Sequence, residues 1–109
     1  MANLKQQILP EVLRSRDSAT FTGSYQTLGT PLVNPCRLVK IVNDSDQDIL
    51  ISWDGTNDHD YVPAQSFALY DFTTNKSGDT PLSVSAQTQF YVQGSSGTGL
   101  VYLAAFYAN

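Results

Sequence analysis

The chain has 109 residues, a single cysteine and a formal net charge of −4, which bounds it to one domain with no intramolecular disulfide. A chain of this size hides roughly 65% of its unfolded surface, enough for one modest core without covalent staples. Charge is unevenly spread. Residues 1–40 carry Lys5, Arg14, Arg16, Arg37 and Lys40 against Glu11 and Asp17, a net of +3, whereas residues 41–109 carry Lys76 against eight aspartates, a net of −7. An acidic body repels phosphate backbones, which argues against a nucleic-acid partner. A basic leading segment suits docking on an acidic protein surface or on a neighbouring copy.

The opening stretch MANLKQQILPEVLRSRD holds no apolar run of signal-peptide length, and Pro10 closes the helical turn that NLKQQIL would start. Residues 1–18 therefore read as an extended N-terminal arm. Lys5, Arg14 and Arg16 give it positive charge, and Ile8, Leu9, Val12 and Leu13 give it apolar anchors for a partner. Residues 19–109 read as the folded domain, because from Ala19 onward the punctuation is that of a β protein. Short runs rich in Val, Ile, Tyr, Phe and Thr are separated by clusters of Gly, Pro, Asn, Asp and Ser.

ATFTGSYQTL predicts a strand with a bulge at Gly23. CRLVKIV is apolar on both faces, as a central strand would be, and its lone Cys36 reads as a small buried hydrophobe. DILISW places Ile49, Ile51 and Trp53 on one face. The polar NDSDQD between these two runs predicts a hairpin joining them. SFALYDF, LSVSA, QFYVQ and LVYLAAFY follow, separated by TTNKSGDTP and GSSGTG. The last run, about half a membrane-spanning length, reads as a buried strand. Seven or eight strands at roughly ten-residue spacing predict one antiparallel β-sandwich.

The stretch most suggestive of chemistry is SWDGTNDHDYVP. It gathers Asp54, Asn57, Asp58 and Asp60 around His59, the only histidine. A calcium loop of the EF-hand type needs a glycine further along and a distant glutamate, yet Gly55 follows Asp54 directly and the only glutamate is Glu11. One histidine and a distant cysteine fall short of a zinc set. Paired-carboxylate catalysis needs two acids in contrasting environments. The serines lack a G-x-S-x-G elbow, and GSSGTG lacks the lysine of a phosphate-binding loop. The simplest reading is a hairpin tip whose Asp and Asn side chains bond their own backbone, with no metal, cofactor or catalytic role. Six tyrosines and one tryptophan suit either sugar stacking or protein contact.

ISWDGTNDHDYVPAQSFALYDFTTNKSGD resembles a pattern in small virion structural proteins of tailed bacteriophages. The matching positions are Ser52, Asp54, Gly55, Asp58, His59, Asp60, Pro63, Ala64, Ser66 and Asp71, within about a quarter of the chain. The resemblance extends, in size, all-β pattern and extended N-terminus, to capsid decoration (cement) proteins with a jelly-roll-like fold. It implies a non-enzymatic capsid-surface protein, made in the host bacterial cytoplasm and acting in no membrane. Its partner would be the major capsid protein lattice, on which it would form homo-oligomers. The same residues leave open a small head–tail, baseplate or fibre component, or a carbohydrate- or receptor-binding β-sandwich module.

Overall fold

A computed structural model of the chain describes residues 7–73, 76–77 and 80–108. The regular secondary structure is almost entirely antiparallel strand. β1 (Ile8–Pro10) and β2 (Arg14–Asp17) both pair with β11 (Gly99–Ala108), which pairs with β4 (Cys36–Ser45), which pairs in turn with β7 (Ser66–Asp71). The second sheet runs β3 (Gln26–Thr27), β10 (Tyr91–Gln93), β5 (Ile49–Ser52), β6 (Asp60–Val62). Two short segments of the expected loop TTNKSGDTP, β8 (Lys76–Ser77) and β9 (Thr80–Pro81), pair with each other. Thr74, Asn75, Gly78 and Asp79 of that loop lie outside the described residues. Among the described residues no helix is long and apolar enough to cross a membrane.

The pairing has a simple order. The first strand region pairs with the last, β3 with β10, β4 with β7, and β5 with β6. That is one long hairpin folded across two sheets, the jelly-roll wiring, and it bears out the expected sandwich. The core lies between the sheets. Val39, Ile41, Val101, Leu103 and Ala105 from the first sheet meet Ile49, Ile51, Val62 and Val92 from the second, with Leu28, Leu32, Val84 and Phe90 closing the ends. Cys36 is fully buried among them. Its burial, with Glu11 nearby, pushes the thiol up to about 11, so it stays an unreactive apolar filler.

Three expectations are corrected. Residues 8–17 are not a free arm; they supply the first strand of the jelly roll. From Pro10↔Phe106 to Arg14↔Leu103 the N-terminal side advances one residue more than β11. This places a β-bulge at Val12 and Leu13, so β1 and β2 form one bent strand along β11. Ser18 is fully buried, and its hydroxyl donates to the Gly99 carbonyl at 2.9 Å. The domain boundary expected at residue 18 therefore does not fall there.

Second, β4 and β5 are not a hairpin, because they belong to different sheets. Asn43 and Ser45, which read as turn residues, are the last inward-facing positions of β4 and are completely buried. The Asn43 amide donates to the carbonyls of Gln47, Val62 and Pro63, and its Oδ1 accepts from the Ser45 hydroxyl at 2.6 Å. This fully bonded polar cluster ties the corner where the chain crosses between sheets. Third, ATFTGSYQTL is mostly irregular. Its first two residues end a 3-10 turn, Ser18–Thr20, and it holds only the short β3, while LSVSA contributes a single bridge, Val84 to Cys36.

Candidate functional site

The polar loop is the tip of the β5–β6 hairpin, and its side chains are occupied by the protein itself. Asp54 accepts from the amides of Thr56 (2.8 Å) and Asn57 (2.9 Å), from the Asn57 side chain and from the Ser52 hydroxyl. These hydrogen bonds, the backbone ones foremost, hold its carboxyl well below the usual carboxylate range. His59 Nδ1 accepts the Trp53 amide at 2.9 Å, which leaves Nε2 to carry the proton, 4.0 Å from Asp54 Oδ2. Asp58 takes the Tyr25 hydroxyl and Asp60 the Tyr70 hydroxyl. Burial, then the Asp60 partner, pushes the Tyr70 phenol far above its ordinary value. Each carboxylate points to a different partner, and among the described residues no three His, Cys, Asp or Glu side chains gather as a metal site.

Trp53 is the hinge between this tip and the core. Its ring packs edge-on against Phe90 at 5.0 Å and Tyr70 at 5.7 Å between centroids, and with His59 and Tyr70 it lines a shallow depression. Because the indole is half-buried against core aromatics, Trp53→Ala is expected to cost about 3 kcal/mol, read as a lowered midpoint in chemical denaturation. A variant with wild-type stability but no partner binding would make Trp53 a surface anchor instead.

The larger exposed feature is the outer face of the first sheet. In β7 the inward positions are Ser66, Ala68 and Tyr70, so Phe67 and Leu69 face solvent at 63% and 48% exposure. The register aligns Tyr102, Val42 and Phe67 in one row across the sheet, and Ala104, Lys40 and Leu69 in the next. Phe106 and Leu38 follow in a third row. A depression of about 300 Å³ lies over the first row, lined by Val42, Phe67 and Tyr102, with Lys40 and Asp44 among its walls. It offers apolar and aromatic contact area edged by both signs of charge.

The expected partner-binding residues divide. Lys5 lies outside the described residues. Ile8 (49%), Val12 (84%) and Leu13 (58%) are exposed, Val12 and Leu13 because the bulge turns them outward. Val12 shares a second depression with Pro10, Val33 and Tyr107. Leu9 is half-buried. Arg16 is also half-buried, and its guanidinium donates to the Thr27 carbonyl. Arg14 is not a docking residue: it is buried and bonded on every side, to Thr30 O at 2.7 Å, Val12 O, Pro31 O and the Glu11 carboxylate at 2.8 Å. Sequence reasoning missed Phe67 and Leu69, because both faces of SFALYDF carry large apolar residues and only the register decides which face turns outward.

No family model, no curated protein and no solved structure matches this chain.

Proposed function

We propose that this protein is a non-enzymatic virion structural protein that docks on the major capsid lattice and stabilises it. The observation that carries the docking reading is the apolar outer face where the exposed Phe67 and Leu69 stand beside the half-buried Val42 and Tyr102; Val12, Leu13 and Val33 are exposed separately, toward the β1–β2 edge. Soluble monomers rarely expose contiguous apolar surface of this kind unless it meets another molecule. The virion assignment rests on the sequence resemblance around Ser52–Asp71. The jelly roll agrees with it by analogy, since capsid proteins use that wiring, as do lectins. A ligand that binds only the assembled lattice stabilises it by mass action. The rigid sandwich spares most of the ordering cost that a flexible binder would meet.

The test is co-sedimentation with capsids stripped of this chain. Phe67→Asp and Val12→Asp are expected to fold normally, since both side chains are exposed, and to lose at least tenfold in capsid affinity, about 1.4 kcal/mol. Full-affinity binding by both variants would rule out this surface. A second reading, a carbohydrate- or receptor-binding module, is favoured by the Trp53, His59 and Tyr70 depression at the hairpin tip. Saturable binding on a glycan array, lost in His59→Ala, would select it.

A further inference from the structure

Each sheet has two edges, and three of the four carry the devices that prevent strand addition. The β1–β2 edge holds Pro10, a bulge and the charges of Arg14, Arg16 and Asp17. β3 is two residues long. β6 is three residues long, begins at Asp60 and is followed by Pro63. Short strands, proline, bulges and charge are how natural sheets blunt an edge. β7 has none of these over its first five residues: SFALY is regular, uncharged and free of proline, and Asp71 stands only at its end. Among the described residues it is paired on one side alone, to β4.

The pairing phase fixes which groups face outward. The Phe72 amide donates to the Arg37 carbonyl at 2.8 Å, so in this antiparallel ladder Tyr70, Ala68 and Ser66 also turn their main-chain groups toward β4. The N–H and C=O of Phe67, Leu69 and Asp71 then point out of the sheet, because successive residues alternate.

We infer that the β7 edge pairs with the β7 edge of a second copy of this chain, antiparallel about a two-fold axis at Ala68. The sequence around that axis is self-complementary. Phe67 of each copy stands opposite Leu69 of the other, joined by two reciprocal pairs of main-chain hydrogen bonds. On the inner face the small Ser66 meets the large Tyr70, and Ala68 meets Ala68. The register opposes no like charges: Lys40 and Val42 of one copy flank the pair on one side, Val42 and Lys40 of the other copy on the far side. A two-fold centred on Leu69 would set Phe67 against Asp71, and one centred on Phe67 would set Leu69 against Gln65, which precedes the strand with a φ of +62°; both are disfavoured. The dimer joins the two outer faces into one continuous apolar surface. It does not rest on the virion reading, because it is measured on the chain alone.

Sedimentation of the full chain over a series from about 1 µM to about 1 mM is expected to show a monomer–dimer equilibrium, since so narrow a contact gives weak association. The variant Phe67→Lys/Leu69→Lys sets like charges directly opposite and is expected to stay monomeric throughout. Phe67→Glu/Leu69→Lys sets opposite charges across the axis and is expected to dimerise again. Hydrogen exchange on the unmodified chain gives an answer that needs no variant: the Phe67 and Leu69 amides should gain protection as concentration rises. A chain monomeric at every concentration overturns the inference, as do amides whose exchange ignores concentration. So does a Lys/Lys variant that dimerises like the parent. If those amides gain protection only when capsids are added, the edge takes a partner's strand and the second-copy inference is wrong.

Discussion

Removing residues 1–18 is expected to unfold the protein rather than release a dispensable arm. The deletion strips β11 of its whole outer neighbour, since Arg14–Asp17 pair with Leu100–Leu103 and Ile8–Pro10 with Phe106–Ala108. It removes the buried Arg14 and Ser18 and uncovers the inward side of Leu103 and Ala105, both now sealed. Small domains hold only about 5–15 kcal/mol of net stability, and losing one strand of a folded eight-strand hairpin exceeds that margin. Far-ultraviolet circular dichroism and thermal melting of the truncated chain are the check. A cooperative transition within a few degrees of full length would show that the strand is an accessory and not part of the core.

The second large effect centres on Arg14 and Glu11. Both side chains are buried, at 6% and 4% exposure. The Glu11 carboxylate also takes the amides of Val33 and Asn34 and the Asn34 side chain. The pair therefore fastens the bulge of the first strand to the 30–34 loop. Gly29 makes room for it: its φ is +72°, and a Cβ there would stand 2.5 Å from the Arg14 Cβ. Arg14→Ala leaves the carboxylate and the carbonyls of Thr30 and Pro31 buried without their donor, and is expected to cost about 3–5 kcal/mol. Glu11→Gln with Arg14→Met is expected to cost less than Arg14→Ala alone, because no bare charge remains.

The pair also sets a pH dependence. Burial pushes the Glu11 carboxyl up, but its hydrogen bonds with Asn34, Val33 and Arg14 outweigh that and hold it below the usual range. A carboxyl depressed in the folded state adds stability that is present above its unfolded value and lost as pH falls through the folded one. Denaturation midpoints should therefore drop on acidification in the parent and drop less in Glu11→Gln. Equal slopes in both would remove Glu11 from the account.

Where apolar residues decide the state of a segment, the sequence is readable. β4, β7 and β11 announce themselves by branched and aromatic runs, and Ile49 and Ile51 share the buried face predicted for them. The hairpin tip is readable too, because Asp54 and Asn57 bond locally. β2 is different. RSRD carries no apolar alternation, and it becomes a strand only because β11 offers a free edge and Glu11 neutralises Arg14, both long-range facts. Asn43 and Ser45 mislead in the other direction, since turn-forming side chains satisfied by distant carbonyls look, in sequence, like turn residues. The candidate docking face was half legible. Val12 and Leu13 read in sequence as apolar anchors, though of a free arm rather than a bulged strand, whereas Phe67 and Leu69 need the register.

The most direct measurement is hydrogen exchange on the protein with and without capsids stripped of it. The docking account predicts slowed exchange in Ser66–Asp71 and Gly99–Ala108 when capsids are present, with residues 53–59 of the hairpin tip unchanged. Exchange unaltered everywhere, or slowed only at the tip, would contradict it.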